Sequence, residues 1–205
     1  MTYKIEIIRK EELCTSFWAG GTTTQLAIYP EDAIYSERNF KWRLSTAKVE
    51  VEESVFTSLP NINRIIMIVK GELILEHEGH PGCVLKEFDQ HHFSGSWRTK
   101  SFGKVIDFNL MMREDCEGEL GAIHLDVGQW RKISLDSRKG FEESVQAIYS
   151  INGQTVLKAR NGDNTLVNKG DMILIQSESI SGGQYFEIYN NEQKRIDLIT
   201  AKVFF

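Results

Sequence analysis

Apolar and polar residues alternate one by one along much of the chain, and this pattern predicts β-strands rather than helices. In residues 40–71, Arg43 and Ser45 alternate with apolar neighbours, and Arg64 begins an apolar run that leads into Gly71. Alternation with a period of two gives each strand one apolar and one polar face. Arg43, Ser45 and Arg64 are therefore candidates for function, because an arginine within a sheet must reach solvent or find a partner.

Similar segments fill most of the remaining sequence. Strands are predicted at residues 3–8, in the β-branched stretch that ends at Pro30, and at residues 49–56, 64–78, 84–93 and 104–112, with a turn at residues 70–72. Residues 31–39 are polar and are predicted as a surface loop, and residues 79–82 as a turn. Little sequence remains for helices, so the predicted class is all-β.

An internal repeat indicates two units. Adding 82 to the residue number pairs Ile66 with Ile148, Gly71 with Gly153, Leu75 with Leu157, Val84 with Leu166, Leu85 with Val167 and Asp89 with Asp171. A repeat of this length, made of strands, predicts two similar β-barrel units. The charged segment 114–121 is the predicted boundary, which gives units at residues 1–118 and 119–205. An exchange of terminal strands between the units stays open.

Composition and charge narrow the class of protein. The chain has 205 residues, 41% of them hydrophobic, which is enough for one large or two small cores. A net charge of -5 without a long basic run argues against nucleic acid or an anionic membrane as a partner. Charges interrupt every short apolar run near the amino terminus, so no signal peptide is predicted and a cytoplasmic location is expected. Cys14, Cys83 and Cys116 are odd in number and lack CxxC spacing, which is typical of reduced thiols.

The Gly20-Gly21 pair admits two interpretations. It lets backbone approach a neighbouring group closely, as in a phosphate-binding loop or in a tight turn. No GxxxxGK[ST] motif and no predicted helix follow it. The pattern therefore favours a tight turn, with both glycines kept as candidate site residues.

A set of motifs occurs in a fixed order within the first 113 residues. They are Trp18, Gly20 and Gly21, the segment Trp42-Arg43-Leu44-Ser45, Phe56 with Leu59 and Pro60, Arg64, Gly71, Phe93 with Gly95, and Asp107-Phe108-Asn109-Leu110-Met111 with Arg113. This combination resembles the HutD/Ves family. The resemblance implies a cupin-like fold with two β-barrel (jelly-roll) units in one chain, a bicupin, and an association with histidine utilisation. Many members have an asparagine before the glycines, and this chain has none there.

Metal-binding cupins use a histidine and glutamate motif that can be placed on this chain. Counting back from Gly71, the glutamate position falls on Arg64, and the histidine positions fall on Ser58 and Pro60 or on Thr57 and Leu59; in the second unit the glutamate position falls on Gln146. A guanidinium has five donors and no lone pair for a metal. We therefore predict no metal and no cofactor, and an anion beside Arg64.

The five histidines are mostly interpreted as solvated or hydrogen-bonded side chains. His91 and His92 are neighbours in one predicted strand, so they point to opposite faces and cannot chelate together. His92 directly precedes the Phe93 motif and is therefore kept as a candidate site residue.

Asp107 and Asn109 share one face of the strand that follows residue 104. Two hypotheses remain open. Asp107 either forms an internal ion pair with Arg43 or Arg64, or these groups and Ser45 together bind a polar ligand. A carboxylate would suit the arginines, since the planar fork of a guanidinium can bind both of its oxygens.

The predicted function is binding of a small carboxylated metabolite, with a regulatory role in histidine degradation implied by the family resemblance. The predicted ligand-binding residues are Trp18, Gly20, Gly21, Arg43, Ser45, Arg64, His92, Asp107 and Asn109. A metal-independent enzyme with Asp107 or His92 as acid or base is the alternative, and a structural module with an empty barrel is a third. Binding is favoured because no nucleophile and base pair is visible. The oligomeric state is left open.

Overall fold

The chain is built from β-strands throughout. The computed structural model describes residues 3–158, 164–178 and 185–205, and within these ranges it contains nineteen strands and two short 3-10 turns. The predicted all-β class is confirmed. Among these residues there is no helix long and apolar enough to cross a bilayer.

The strands are numbered in chain order. The first eleven are β1 Tyr3–Ile8, β2 Cys14–Trp18, β3 Gly21–Tyr29, β4 Trp42–Val49, β5 Glu53–Val55, β6 Ile62–Lys70, β7 Leu73–His77, β8 His80–Leu85, β9 Gln90–Ser94, β10 Thr99–Phe102 and β11 Ile106–Arg113. The others are β12 Glu117–Leu125, β13 Trp130–Ser134, β14 Glu143–Ser150, β15 Thr155–Lys158, β16 Asn164–Val167, β17 Met172–Glu178, β18 Tyr185–Asn190 and β19 Ile196–Phe204. The 3-10 turns are Lys10–Glu12 and Tyr35–Glu37.

The chain divides into two compact units. The N-terminal unit is Leu13–Glu117, and the C-terminal unit combines Met1–Glu12 with Gly118–Phe205. This division differs from the predicted ranges at the amino terminus, because β1 pairs antiparallel with β17 instead of with a strand of the first half. The Asp171 carboxylate also accepts hydrogen bonds from the backbone of Lys10 at 3.0 Å and from Arg9 Nη1 at 2.7 Å.

Each unit contains two sheets with the same strand order. The N-terminal unit has a sheet in the order β2-β3-β4-β11-β6-β9 and another in the order β5-β10-β7-β8. The C-terminal unit has sheets in the orders β1-β17-β14-β19-β12 and β13-β18-β15-β16. The four strands β4-β11-β6-β9 correspond to β12-β19-β14-β17, and the four strands β5-β10-β7-β8 correspond to β13-β18-β15-β16. Each of these strands of the N-terminal unit thus has its counterpart eight strands later, with the same neighbours. The extra strands extend one end of a sheet in each unit: β1 is added beside β17, and β3 is added beside β4, with β2 as the edge strand.

The repeat of 82 residues falls on equivalent strands. Ile66 and Ile148 lie in β6 and β14, and Leu75 and Leu157 lie in β7 and β15. Asp89 accepts a hydrogen bond from the backbone N–H three residues before it at 2.9 Å, and Asp171 does the same at 2.9 Å. The short local turn is therefore repeated as well as the strands.

Alternation along the strands builds a core in each unit. In β7 every second residue is buried, as a period of two requires. The N-terminal core consists of Val49, Ile66, Ile68, Leu73, Leu75, Leu85, Phe93 and Val105. The C-terminal core consists of Ile123, Leu125, Ile133, Leu135, Ile148, Leu157, Val167, Ile173, Ile175, Phe186, Ile188, Ile196 and Leu198. Arg64 shares the strand face of Ile66 and Ile68, so the site lies at one end of the N-terminal core.

Several predicted boundaries differ from the structure. Residues 49–56 were expected as one strand, but Val49 ends β4 and only Glu53–Val55 pair with β10. The turn predicted at residues 79–82 is shorter, because β8 begins at His80 and contains Pro81. Proline is tolerated there because β8 is an edge strand and needs no ladder hydrogen bond from that residue.

Candidate functional site

Three adjacent strands carry the polar residues that the sequence singled out. β11 pairs with β4 on one side and with β6 on the other. Met111 lies opposite both Arg43 and Arg64, and Asn109 lies opposite Ser45. Directly opposite residues of antiparallel strands project to the same face. The register therefore brings two arginines from distant parts of the chain to one face of the sheet.

This face lines a cavity of about 280 Å³ inside the N-terminal unit. Six of the nine predicted site residues line it: Trp18, Arg43, Ser45, Arg64, Asp107 and Asn109. The other lining residues are Ser16, Thr23, Tyr35, Ala47, Val49, Ser54, Val55, Phe56, Thr57 and Met111. Both sheets of the unit contribute, since Ser54 and Val55 belong to the sheet of β5. The size is that of a small metabolite.

Gly20 and Gly21 do not line the cavity, but they determine where Trp18 lies. A Cβ atom on Gly20 would be 2.0 Å from a ring carbon of Trp18, and one on Gly21 would be 1.9 Å from the Lys48 backbone oxygen. No side chain fits at either position. The glycines therefore let the indole fold back beside the cavity and let the turn approach β4, which agrees with the tight-turn interpretation.

Arg43 is fixed on several sides. It is only 5% exposed. Its Nε donates to Gln25 Oε1 at 2.8 Å, and its Nη1 donates to Ser45 Oγ at 3.2 Å. Its Cζ lies 4.3 Å from the centre of the Tyr35 ring, within the range of a cation-π contact. Burial lowers the pKa of Arg43, although the group stays charged at neutral pH.

Arg64 is held by aromatic rings instead of hydrogen bonds. Its Cζ lies 4.5 Å from the centre of the Phe56 ring and 5.1 Å from that of Phe93. The side chain is 7% exposed, and its Nε has no hydrogen-bond partner among the described residues. Burial lowers the pKa of Arg64 to about 10, and the neighbouring charge of Arg43 acts in the same direction. The guanidinium of a residue that lines the cavity therefore keeps a donor that no described group uses, although the Nε atom itself is enclosed by protein atoms.

Asp107 lines the same cavity without pairing with either arginine. Its carboxylate forms no ion pair within 4.0 Å with any described cation. Burial raises the pKa of Asp107 to about 7, and the attraction of Arg64 offsets this effect only in part. Asn109 adds a buried Oδ1 atom that has no partner among the described residues. Of the two hypotheses from the sequence, the direct internal ion pair is not formed.

His92 lies outside the cavity. β9 pairs with β6 so that Phe93 is opposite Arg64, and alternation then turns His92 to the other face, where it is exposed. His91 shares the face of Phe93 instead, and its Nε2 lies 3.0 Å from Nε2 of His77. The candidate role of His92 beside a ligand is therefore not supported by this register.

The donor set of the cavity does not fit a divalent metal. It contains one carboxylate beside two guanidinium cations, whereas such metals prefer several carboxylates, imidazoles or thiolates. Of the cupin ligand positions, Thr57 and Arg64 line the cavity. Within the described part of the chain, no group of three or more His, Cys, Asp or Glu side chains could hold a metal ion.

The equivalent region of the C-terminal unit is nearly filled. Gln146 replaces Arg64 at the repeat offset and lines a cavity of about 10 Å³, roughly the space of one water molecule. Its Nε2 donates to the Ala201 backbone oxygen at 3.2 Å. Lys202 also lines this cavity, and its ammonium group is paired with the Asp136 carboxylate. Lys202, the cation that lines this small cavity, therefore already has a counter-ion.

The sequence analysis missed Tyr35, Gln25 and Phe56 as parts of the site. Tyr35 comes from a loop that was interpreted as polar surface, and the two adjacent apolar residues Ile34 and Tyr35 in that loop were the available signal. Gln25 and Phe56 reach the arginines through strand pairing and ring packing, which only the tertiary structure shows.

Solved structures place this architecture among proteins of the cupin type. A bacterial pirin from Escherichia coli, solved in complex with nickel(II), has a TM-score of 0.66 and 9% sequence identity, covering 96% of this chain and 98% of the pirin. At this identity the similarity shows the fold alone.

The chain belongs to the HutD family, whose sequence profile matches residues 10–193. The structure of HutD from Pseudomonas fluorescens SBW25, described for a formate condition, has a TM-score of 0.64 and 20% identity and covers 97% of this chain and 98% of that one. A conserved protein of unknown function from Pseudomonas aeruginosa PAO1 has a TM-score of 0.77 and 19% identity and covers 98% of both chains. Comparison with the curated proteins finds no match. The family resemblance noted in the sequence is confirmed.

Proposed function

We propose that this chain is a metabolite-binding protein of the HutD family that holds a small carboxylate in the cavity of its N-terminal unit. The observation that carries the proposal is the pair of buried guanidinium groups, Arg43 and Arg64, neither of which has a carboxylate within 4.0 Å among the described residues. A buried cation without a counter-ion is unfavourable, so an anion from outside the chain is the expected partner.

The hydrogen-bonding groups suit a carboxylate with a neighbouring donor. Arg64 lines the cavity, and a guanidinium there can bind a carboxylate with its terminal N–H groups. Arg64 Nε and Asn109 Oδ1 are enclosed and have no partner among the described residues, so the polar groups of this wall are not all used within the protein. Charge-assisted hydrogen bonds of this kind each contribute about 1.5 to 3 kcal/mol. The rings of Phe56 and Phe93 hold Arg64 in place without using its N–H groups.

The family association favours a metabolite of histidine degradation. The resemblance of the motifs to HutD implied this neighbourhood, and a regulatory role in that pathway is part of the proposal. The solved HutD of Pseudomonas fluorescens is described for a formate condition, and formate is the smallest carboxylate, so it belongs among the compounds to test. The cytoplasmic location and the absence of nucleic-acid or membrane partners stay predictions from charge and sequence.

We also propose that the fold is a bicupin, with one jelly-roll barrel in each unit. The support is the repeated order of eight strands in two four-stranded groups, since a jelly roll has eight strands in two sheets. The domain ranges would then be those of the two units, with β1 exchanged into the C-terminal barrel.

Thermal shift and calorimetry test the binding proposal. The compounds are formate, glutamate, histidine, urocanate, formylglutamate and formiminoglutamate, followed by a wider set of dicarboxylates. A ligand present at 100 times its Kd stabilises the folded state by about 2.7 kcal/mol, which raises Tm by several degrees. If no carboxylate raises Tm, the structural interpretation of the cavity replaces this proposal.

A second candidate is a metal-independent enzyme acting on a similar molecule. The observation that favours it is Asp107, whose pKa burial raises to about 7, close to the value that suits a general acid or base at neutral pH. Incubation of each compound with the protein, followed by NMR of the small molecule, tests it. Turnover that disappears in Asp107→Asn would favour the enzyme, and unchanged compounds would favour binding alone.

A further inference from the structure

We infer that the cavity takes up its anion together with one proton, which settles on the Asp107 carboxyl group. This inference rests on the proposed function, because it describes how the same cavity accommodates a carboxylate. The proton comes from solvent, and no other bond is made or broken. The ligand would then be recognised by a neutral carboxylic acid as well as by two guanidinium groups.

The surroundings of Asp107 limit which charges can act on it. The ionisable side chains that line the cavity are Arg43 on β4, Arg64 on β6, Tyr35 from the 3-10 turn and Asp107 itself on β11. β2, β3 and β5 contribute only uncharged side chains to the lining. Asp107 is 5% exposed, so solvent gives its charge little support. Its ionised form therefore depends mainly on the attraction of Arg64.

A bound carboxylate removes that support. Its oxygens would take the donors of Arg64 and would place a second negative charge in the same enclosed space. Two carboxylates that share a site of low dielectric do not both stay ionised, and one of them keeps a proton. A ligand oxygen hydrogen-bonded to the guanidinium would be attracted to it more strongly than Asp107, which forms no ion pair with Arg64 within 4.0 Å. Asp107 is therefore the group that becomes protonated.

Burial supports this assignment, because it already raises the pKa of Asp107 to about 7 in the free protein. Little further change is needed for the proton to be bound at neutral pH. A protonated carboxyl group also supplies an O–H donor, which can bind a ligand oxygen, whereas an ionised one would repel it. Affinity should then fall as pH rises above 7, by up to about tenfold for each pH unit.

The experiment follows the Asp107 carboxyl carbon by NMR in protein labelled with ¹³C-aspartate. Asp107→Asn identifies the resonance, and formate at high concentration is the probe. We expect the titration midpoint of Asp107 to rise by about one pH unit or more when formate is present. Calorimetry of formylglutamate at pH 8 in two buffers of different ionisation enthalpy gives the proton uptake without any substitution, and part of a proton per ligand is expected.

The outcomes separate this inference from the proposed function. If formate perturbs the labelled cavity resonance while its midpoint stays or falls, and calorimetry gives no proton uptake, the inference is overturned and carboxylate binding stands. If neither formate nor any compound of the wider set perturbs the protein, both are overturned. A raised midpoint together with buffer-dependent heat supports both.

Discussion

The two units of this chain share one strand order and differ in what fills the equivalent space. In the N-terminal unit the space is a cavity of about 280 Å³ that contains two arginines without a carboxylate partner within 4.0 Å among the described residues. In the C-terminal unit it is about 10 Å³, and Lys202 there is paired with Asp136. The strand framework alone does not make a site. A few side chains at equivalent positions decide whether the space is open and charged.

The strand register shows which side chains differ at equivalent positions of the two units. Arg64 lies opposite Phe93 and Met111, and its counterpart Gln146 lies opposite Ile175 and Lys202. The counterpart of Asp107 is a leucine, Leu198, which is fully buried in the apolar core. The C-terminal unit thus keeps an ordinary core where the N-terminal unit holds ionisable groups. Binding is expected in one unit only.

The largest expected effect comes from Asp107→Asn. The pKa of Asp107 is about 7 in the folded protein and near its usual value of 3.8 when unfolded. The folded state therefore binds the extra proton between these values, and the contribution of Asp107 to the stability of the wild type falls as pH rises from about 4 to 7. The asparagine variant lacks this dependence. Its free energy of unfolding relative to the wild type should rise by about 4 kcal/mol over that range.

Urea denaturation of both proteins at several pH values measures this difference. Other titrating groups are common to both and cancel in the comparison. If the difference in free energy of unfolding stayed constant from pH 4.5 to 8, Asp107 would be ionised in the folded state throughout. Burial would then not disfavour the charge of Asp107, and the proposed electrostatic difference between the Asp107 and Leu198 positions would be wrong.

Arg64→Met is expected to weaken carboxylate binding by about 2 kcal/mol or more, which is about 30-fold. Methionine keeps the bulk of the arginine stem and removes the charged donors. The fold should persist, because no described carboxylate depends on Arg64 as an ion-pair partner. Calorimetry with the tightest compound of the panel measures the loss.

Gln146→Met is the matched control for this substitution, since it changes the equivalent strand position of the other unit. It should leave the affinity unchanged. If Arg64→Met unfolded without ligand, Arg64 would be needed for the fold and its assignment to the binding site would fail. If both variants lost affinity equally, binding would not be specific to the N-terminal unit.

Tyr35→Ala is expected to weaken binding by about 1 kcal/mol. The ring contacts the Arg43 guanidinium at 4.3 Å, and its loss would release the arginine toward solvent. Tyr35→Phe retains the ring and should bind nearly as tightly as the wild type. If Phe and Ala are equivalent in calorimetry, the hydroxyl matters and not the ring contact.

The smallest expected signal is metal content, for which we predict no stoichiometric transition metal in either unit. Arg64 and Gln146 occupy the positions where cupins place a glutamate ligand, and neither offers a carboxylate. Elemental analysis of protein freed of any affinity tag measures it. A content near one zinc, iron, manganese or nickel per chain would contradict the prediction and would draw attention to the histidines around His77.

Periodicity predicted much of the site because β-strands obey a local rule. The alternation around Arg43 and Ser45, and around Asp107 and Asn109, placed each pair on one strand face without knowledge of the fold. The 82-residue offset likewise predicted the counterpart of Arg64 as Gln146. These inferences need only spacing along the chain.

The parts that sequence missed depend on pairing between distant segments. Tyr35 reaches Arg43 from a loop, and no periodicity marks a loop residue that folds over a strand. His92 points away from the cavity because β9 pairs with β6 so that Phe93 lies opposite Arg64, and the sequence does not reveal this pairing. β2 escaped detection because all five of its residues are exposed, so it has no apolar alternation to recognise.

A crystal structure of the chain grown with and without formylglutamate tests the central claim most directly. That claim is that Arg64 has no carboxylate partner within the N-terminal unit and therefore binds an anion from outside the chain. The account predicts density for a carboxylate within hydrogen-bonding distance of the Arg64 guanidinium, with Asp107 apart from Arg64 in the unliganded crystal. A direct ion pair between Asp107 and Arg64 in the free protein, with the carboxylate absent from the cavity after soaking, would contradict it.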